Sequence, residues 1–338
     1  MTAIASKGGA KAASAAKPQS SKPNAKPVVF IDGEAGTTGL EIRRRLASVS
    51  ALEVKSIAAD LRKDDAARLD MMRSADLVVL CLPDDAAKQA VAMAATLGAS
   101  APKIVDASTA HRVAADWTYG FPELDAEQTN RIANARLVSN PGCYPTGAIA
   151  FLKPLVAKGA LPADYPVTIN AVSGYSGGGR SMIEDYEANR APLFELYGLG
   201  LEHKHIPEIV THAGLARRPI FVPSVGNFRQ GMLVSIPLHL DTLPGKPKAK
   251  DLEAVLAEYY AGRRLVHVVP ADHPSAKGGR LDALALNDTD RLELRVFASE
   301  KHRQAVLVAR LDNLGKGASG AAVQSIALML GIADPTAS

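Results

Sequence analysis

The sequence contains little cysteine, with Cys81 and Cys143 as the two thiols in 338 residues. Two thiols cannot form a disulfide framework, which excludes the class of small disulfide-stabilised secreted proteins. The sequence also lacks an uninterrupted apolar run of about 18 residues, so no transmembrane helix is expected. The net charge of +4 is weak evidence for a nucleic-acid-binding surface. We therefore expect a soluble intracellular protein that binds neither nucleic acid nor a membrane.

The first 26 residues lack acidic side chains and arginine, and they are rich in Ala, Lys, Ser and Pro. Because such a segment has little apolar surface to bury, we expect residues 1–26 to form a disordered tail. The tail has no apolar core of the kind found in secretory signals, and a transit peptide would contain arginine. With 47% hydrophobic residues, the chain is long enough for about two domains.

A glycine-rich loop follows the first apolar strand, residues 28–31, and precedes a helix-like run, residues 40–47. Strand, glycine loop and helix together are typical of a dinucleotide site, because small residues let the backbone approach a pyrophosphate at a helix N-terminus. The spacing G-x-x-G-x-x-G departs from the commoner G-x-G-x-x-G, and alone it also suits a βα turn without a ligand. The predicted cofactor-binding residues of the loop are Gly33, Glu34, Ala35, Gly36, Thr37, Thr38 and Gly39.

The alternation of strands and helices continues through residues 54–58, 77–82 and 103–105, with an alanine-rich helix from Asp84. This rhythm predicts an α/β domain with a doubly wound, Rossmann-type parallel sheet. After the second strand, Asp60 suits the ribose 2′-hydroxyl of NAD, whereas Arg62 and Lys63 suit the 2′-phosphate of NADP. We favour NADP, and a solvated loop is the alternative interpretation of the two basic residues.

The second half of the chain is richer in strand-like sequence. Strands are predicted at residues 167–172, 233–240, 265–269, 292–297 and 305–311, with a helix at 251–260. This pattern predicts a second, α+β domain that holds the substrate, residues 146–311. The last helix, residues 321–330, follows the glycine-rich segment 312–320 and is expected to return to the first domain. The cofactor domain would then comprise residues 27–145 and 312–338.

Cys143 lies in the motif Asn-Pro-Gly-Cys-Tyr-Pro-Thr, residues 140–146, directly before an apolar helix-like stretch, residues 147–156. Backbone N–H groups and the helix dipole stabilise a thiolate at such a position, and Pro145 is a residue that opens helices. Cys143 is therefore the predicted nucleophile, with a buried cysteine at a turn as the alternative. Cys81 lies within an apolar strand and is interpreted as a small hydrophobic residue.

The segment His-Lys-His-Ile-Pro-Glu, residues 203–208, offers two imidazoles, one of which could exchange a proton with Cys143. Structural histidines are the alternative. A metal site at His203 and His205 lacks a third ligand, so no metal is predicted. Two further segments, residues 106–112 and 173–180, combine hydroxyls, glycines and arginine in a manner suited to anions. The predicted substrate-binding residues are Ser108, Arg112, Asn140, Ser173, Gly177, Gly178, Gly179, Arg180 and His203.

The chain after residue 27 resembles the N-acetyl-γ-glutamyl-phosphate reductase family, within the aspartate-semialdehyde dehydrogenase-like group. The most specific segments are residues 33–41, 140–146, 203–208 and 312–324. The first segment is similar to the shorter variant of the family, whereas Ala321 departs from the glutamine of the longer variant. The resemblance implies a cytoplasmic homodimer or homotetramer that acts in arginine biosynthesis. It also implies Cys143 as nucleophile, His205 rather than His203 as acid/base, and cofactor contacts from Asn313, Lys316 and Gly317.

The implied reaction is the NADPH-dependent reduction of an acyl phosphate. The Cys143 thiolate would attack the carbonyl carbon, phosphate would leave, and the thioester would accept a hydride and release the aldehyde. Other possibilities are a sister reductase acting on aspartyl phosphate, an oxidising aldehyde dehydrogenase, and a non-catalytic NADP-binding regulator. A cofactor-independent thiol hydrolase leaves the glycine motif unexplained.

Overall fold

The computed structural model describes residues 25–336 and contains two β-sheets with helices packed against them. Residues 1–24 of the predicted tail lie outside the described residues. The strands are β1 (Val28–Asp32), β2 (Glu53–Lys55), β3 (Leu77–Leu80), β4 (Lys103–Asp106), β5 (Thr118–Tyr119), β6 (Leu137–Ser139), β7 (Thr168–Gly174), β8 (Phe194–Leu196), β9 (Ile220–Gly226), β10 (Met232–His239), β11 (Val266–Val268), β12 (Leu292–Ser299) and β13 (Gln304–Leu311). The helices are α1 (Thr37–Leu46), α2 (Asp65–Ser74), α3 (Asp84–Ala95), α4 (Gln128–Asn134), α5 (Cys143–Ala157), α6 (Gly179–Glu187), α7 (Ile206–Ala213), α8 (Ala249–Tyr259) and α9 (Gly320–Leu330).

The first sheet is parallel throughout, in the order β2-β1-β3-β4-β6-β5. Along β1, Val29 and Ile31 join one apolar cluster, whereas Phe30 joins a second cluster on the opposite face. A parallel strand that is covered on both faces has no polar face to alternate, which explains its continuous apolar sequence. The predicted doubly wound α/β sheet is confirmed.

The second sheet is mixed, in the order β11-β12-β13-β10-β7-β9-β8. One face buries a large apolar cluster that includes side chains from α5, α7 and α8. Helix α5 approaches the sheet closely, since a Cβ atom at Gly147 would lie 2.9 Å from Cγ2 of Val234. The predicted second α+β domain is likewise confirmed.

Helix α9 packs on the first sheet rather than on the second. Its buried side chains Ala322, Val323 and Ile326 lie in the same apolar cluster as Val29 and Ile31 of β1. The segment that leads into α9, residues 315–319, packs against both α1 and α5. The segment 315–319 therefore lies beside α1, which follows the glycine loop, and beside the N-terminus of α5.

Several elements differ from the sequence prediction. Strand β2 ends at Lys55, three residues before the predicted end, and α5 begins at Cys143 rather than at residue 147. Strands β8 and β9 and helix α2 lie in segments where no element was predicted. Among the described residues, no helix is both long and apolar enough to cross a bilayer.

Candidate active site

The glycine loop joins β1 to α1 in a conformation that demands glycine at two positions. Gly33 has φ +87°, and a Cβ atom there would lie 2.4 Å from the carbonyl oxygen of Cys81. A Cβ atom at Gly39 would lie 2.6 Å from the carbonyl oxygen of Gly33. No side chain of the described residues caps α1 at Gly36, so the first N–H groups of the helix remain available. This cradle fits the pyrophosphate of a dinucleotide.

A cavity of about 310 Å³ extends from Thr38 in the glycine loop to Cys143 and His205. Its lining combines Thr38 of α1 and loop residues that follow β4 and β6 with residues of β7 and β9 in the second sheet. Eleven of the residues predicted for the site line it: Thr38, Arg112, Asn140, Cys143, Ser173, Gly177, Gly178, His203, His205, Asn313 and Gly317. Segments separated by more than 100 residues in sequence therefore meet around one space.

Cys143 is the first residue of α5, and Gly142 precedes it as the N-cap. The thiol is partly exposed, and the backbone of Gly317 packs against it, with 3.0 Å between the Cys143 Cβ and the position of a Cβ at Gly317. Burial raises the pKa of the thiol to about 11, although the N–H of Tyr144 and the charge of Arg112 act in the opposite direction. The predicted resting thiolate is therefore corrected to a neutral thiol, because burial outweighs the helix N-terminus.

His205 lies at the N-terminus of α7, immediately beside the turn that carries the nucleophile. A Cβ atom at Gly142 would lie 2.8 Å from Nε2 of His205. The imidazole is buried, and burial together with the charge of Arg112 lowers its pKa well below the usual value. A neutral imidazole can accept a proton, so His205 remains a candidate base.

His203 supports His205 from within the same segment. Its Nδ1 accepts a hydrogen bond of 3.1 Å from the backbone N–H of His205, and the two rings lie 4.7 Å apart. Burial lowers the pKa of His203 to about 4, with Lys204 acting in the same direction. His203 also lines the cavity, so it remains a candidate for substrate contact.

Glu208, a residue that the sequence analysis assigned no role, organises the wall of the cavity. Its carboxylate is buried and accepts hydrogen bonds from Gly142 N (2.7 Å), the Tyr119 hydroxyl (2.7 Å) and Arg112 Nη1 (3.0 Å). Burial acts to lower the pKa of Arg112, but the charge and hydrogen bond of Glu208, together with smaller contributions from Tyr119 and Cys143, raise it overall. One carboxylate thus fixes both the nucleophile turn and the buried guanidinium. The available signal was its position three residues after His205, on the same helix.

Three buried polar atoms at the cavity have no hydrogen-bond partner among the described residues. They are Nε of Arg112, Oδ1 of Asn140 and Nδ1 of His205. Native proteins satisfy nearly all of their buried polar groups, so unpartnered atoms in one cavity indicate a place for a polar ligand or water. Asn140 also donates from Nδ2 to the carbonyl oxygen of Ala318 at 3.0 Å, which links the nucleophile motif to the segment before α9.

Asn313 and Ser173 lie across the cavity from Cys143, in the second sheet and the loop beyond it. Asn313 accepts a hydrogen bond from Gly231 N at 2.8 Å and donates to the Ser176 hydroxyl at 3.0 Å. The Ser173 hydroxyl donates to the carbonyl oxygen of Gly174 at 3.0 Å. These bonds hold the glycine-rich loop that begins at Gly177 against the end of β13.

Several predicted substrate and cofactor residues lie outside the cavity. Arg180 is on the surface, with a side chain that is 78% exposed and paired with Glu184 at 2.8 Å. Gly179, with φ +79°, forms the turn into α6. The hydroxyl of Ser108 donates to the buried carboxylate of Asp106 at 2.7 Å. None of the three lines the cavity that contains Cys143.

Lys316, a predicted cofactor contact, is completely buried. Its ammonium group lies 2.8 Å from Glu123 and 2.6 Å from Gln324. A buried ammonium needs such partners, because an unpaired charge in the interior is costly. The contact with Glu123 fixes the segment 315–319 against the core, and this segment carries Gly317 to the nucleophile.

The basic residues that were predicted to bind the 2′-phosphate of NADP, Arg62 and Lys63, follow β2. Arg62 lies in the exposed turn after β2, and its Nη2 is 3.4 Å from the carboxylate of Glu34. Lys63 is exposed, as is Asp60, the alternative ribose partner. Ala35 and Thr37 line a second cavity of about 450 Å³ between α1 and α6, which also receives Arg180.

Comparisons with known proteins agree with this division of the chain. The semialdehyde dehydrogenase NAD binding domain matches residues 54–132, and the semialdehyde dehydrogenase dimerisation domain matches residues 143–313. The chain is similar to the N-acetyl-gamma-glutamyl-phosphate reductases of Brucella ovis and Brucella canis. Each is 56% identical over 311 residues, which cover 90% of this chain and 99% of the relative.

Solved structures show the same fold at low sequence identity. Aspartate semialdehyde dehydrogenase II of Vibrio cholerae, complexed with ASA, has a TM-score of 0.69 at 15% identity, covering 91% of this chain and 99% of that one. Aspartate semialdehyde dehydrogenase of Candida albicans with NADP has a TM-score of 0.62, also at 15% identity and with the same coverage. At this identity, the likeness establishes the fold alone.

Proposed function

The chain belongs to the N-acetyl-gamma-glutamyl-phosphate reductase family, and on that premise we propose that it reduces N-acetyl-γ-glutamyl phosphate to N-acetylglutamate semialdehyde and phosphate, with NADPH as the reductant, in arginine biosynthesis. One observation carries the proposal: a single cavity joins Thr38 of the glycine loop to Cys143 and His205. A cofactor loop and a nucleophile with its base must share a space for this reaction.

Proton transfer comes first, because the resting pair is a neutral thiol and a neutral imidazole. His205 takes the proton of Cys143 as the sulfur attacks the carbonyl carbon of the acyl phosphate. The new C–S bond replaces the C–O bond to phosphate, which leaves as inorganic phosphate. A nicotinamide cofactor held by the glycine loop would supply the hydride for reduction of the resulting thioester. Collapse of the tetrahedral oxyanion formed in this way breaks the C–S bond and releases the aldehyde, and His205 returns its proton to the sulfur of Cys143.

Anion recognition in this proposal depends on groups that face the cavity. Arg112 carries a buried positive charge whose Nε has no partner among the described residues. Lys204 lines the same cavity. The backbone at Gly177 and Gly178 supplies further polar groups at the wall opposite the nucleophile. We assign these groups to the phosphate and the α-carboxylate of the substrate, with His203 as an additional contact.

The cradle formed by residues 33–39 holds the cofactor in this scheme, and residues 27–145 with 312–338 form the cofactor domain. Residues 146–311 form the substrate and assembly domain. The face of the second sheet opposite α5 carries exposed apolar side chains, among them Phe194 (57% exposed), Leu196 and Val306. A second copy of the chain would cover this face, so we assign the protein as a cytoplasmic homodimer or homotetramer.

Phosphate-dependent NADP⁺ reduction in the reverse direction tests the proposal. Purified protein is offered N-acetylglutamate semialdehyde and aspartate semialdehyde in parallel, and NADPH formation is followed by absorbance. The proposed function requires a preference for the acetylated substrate and a dependence on phosphate. Preference for aspartate semialdehyde would move the assignment to the sister reductase. No phosphate-dependent signal with either substrate would remove the enzymatic assignment.

A further inference from the structure

Glu34, the second residue of the glycine loop, is held by three donors from different parts of the first domain. Arg43 of α1 donates from Nη1 to its carboxylate at 2.7 Å, and the Ser56 hydroxyl, just after β2, donates at 2.9 Å. Nη2 of Arg62, in the turn that follows, lies at 3.4 Å. Arg43 also hydrogen-bonds Ser56. The side chain of Glu34 is 11% exposed in this arrangement.

These donors form a set that suits a phosphate group. Two guanidinium groups and a hydroxyl offer several N–H and O–H donors around one anionic position, which is the pattern that proteins use for phosphate. The two arginines are themselves substantially exposed, at 44% and 42%, so their pairing with Glu34 contributes little to the stability of the fold. Their convergence on one carboxylate therefore needs a reason other than stability.

The position of the cluster gives that reason. Arg43, Ser56 and Arg62 meet at the end of β2, beside the glycine loop. In a dinucleotide-binding sheet, this is where the adenosine ribose lies, and an arginine there accommodates a 2′-phosphate. The carboxylate of Glu34 occupies the centre of this donor set.

We propose that Glu34 holds the anion position which the 2′-phosphate of NADP takes on binding, so that the two compete for Arg43, Ser56 and Arg62. The inference rests on the proposed use of NADP. Binding then exchanges one anion for another within the same donor set. Because like charges at close range repel, Glu34 lowers the affinity for the 2′-phosphate and so reduces the preference for NADP over NAD.

Calorimetric titration with 2′,5′-ADP and with 5′-ADP isolates the contribution of the 2′-phosphate without any turnover. For the Glu34→Gln variant we expect binding of 2′,5′-ADP to tighten about tenfold, with the affinity for 5′-ADP unchanged. For Arg62→Gln we expect binding of 2′,5′-ADP to weaken by a similar factor, again with 5′-ADP unchanged. Both differences should shrink as salt is added, since the partners are exposed to solvent.

Arg73→Gln is the matched control, because Arg73 is an exposed arginine paired with Asp70 on α2, away from the glycine loop. It changes the net charge by the same amount as Arg62→Gln and should alter neither titration. Weaker or unchanged 2′,5′-ADP binding in Glu34→Gln would overturn the inference while leaving the proposed function intact. Equal loss of both nucleotides would also overturn it, since Glu34 would then only shape the loop. Failure of the unmodified chain to bind either nucleotide would overturn the inference and the proposed function together.

Discussion

Glu208→Gln removes the charge of a carboxylate that is 1% exposed and accepts three hydrogen bonds. Glutamine has one acceptor oxygen in place of two, so at least one of the donors on Gly142, Tyr119 and Arg112 loses its acceptor. A buried donor without a partner costs about 1–3 kcal/mol, and breaking a buried ion pair costs about 3–5 kcal/mol. We therefore expect the free energy of unfolding in urea to fall by about 3–5 kcal/mol.

The same substitution changes the ionisation of the nucleophile. The charge of Glu208 raises the pKa of Cys143, whereas the charge of Arg112 lowers it. With a neutral residue at position 208, Arg112 acts unopposed, so the pKa of the thiol falls and the thiolate forms at lower pH. The rate of alkylation by iodoacetamide measures this directly, because the thiolate is the reacting species. A Cys81→Ser background removes the other thiol from the measurement.

Glu258→Gln is the matched control, since Glu258 is an exposed glutamate paired with Lys158 at 2.8 Å. It should leave the alkylation profile in place and leave the unfolding free energy close to that of the unmodified chain, because an exposed ion pair contributes little to stability. If the alkylation profile of Glu208→Gln stays in place or moves to higher pH, the electrostatic reasoning is refuted. If its unfolding free energy matches that of the control, Glu208 is not the partner on which Arg112 depends.

Three further outcomes are expected. Cys143→Ser should abolish phosphate-dependent turnover while calorimetric NADP binding persists, and full activity in this variant would remove the covalent mechanism. Gly33→Ala should weaken NADP binding more than tenfold, because its Cβ would lie 2.4 Å from the carbonyl oxygen of Cys81. Gly159→Ala controls for backbone strain, since Gly159 also has a positive φ but has open space around it, and this variant should bind NADP normally. Stability should fall as the pH drops from about 6.5 towards 4, because His203 has its pKa lowered to about 4 and the unfolded chain takes up the proton first. Urea midpoints at a series of pH values measure how the unfolding free energy depends on pH, and one histidine contributes at most about 1.4 kcal/mol per pH unit. The His203→Gln variant should show a weaker dependence on pH. An unchanged dependence would mean that other groups set the acid limit of stability.

The first sheet could be predicted from sequence because its signals are local. Val29, Phe30 and Ile31 are all fully buried, and such a continuous apolar run before a glycine loop is typical of a parallel strand. A side chain at Gly39 would meet the backbone of Gly33 and Glu34 in the same βα turn, whereas a side chain at Gly33 would meet Cys81, which follows β3. The apolar run and the glycine spacing that predict the βα unit nevertheless lie within a few residues of each other.

Strand β9 and helix α2 carry weaker signals. Pro223 lies inside β9, and a proline argues against a strand in the middle of a sheet. The structure accommodates it because β8 pairs only with residues 224–226 of β9, so Pro223 stands just beyond that pairing. Helix α2 buries only Met72 among its residues and therefore has no apolar stripe from which a helix could be predicted.

The site was partly predictable for the same physical reason. Cys143 and His205 lie in short motifs with recognisable chemistry, whereas the role of Glu208 depends on partners 66 to 96 residues earlier in the chain. Lys316 and Arg180 were predicted as ligand contacts from similar local motifs. Lys316 pairs with Glu123 in the interior, whereas Arg180 is exposed to solvent and pairs with Glu184. These contacts depend on tertiary packing, which a short sequence motif does not specify.

The pKa of Cys143 shows most clearly why a rule based on local sequence can fail, because such a rule does not include burial. A helix N-terminus stabilises a negative charge by about 0.3–1 kcal/mol, which is less than the 1.4 kcal/mol or so that corresponds to one pKa unit. Burial can raise the pKa of an acid by up to about 3–5 units. The Cys143 thiol lies at the N-terminus of α5, but it packs against the backbone of Gly142 and Gly317, and burial raises its pKa to about 11. In the proposed reaction the thiol therefore needs a base, and this is the role that we assign to the neutral His205 in the same cavity.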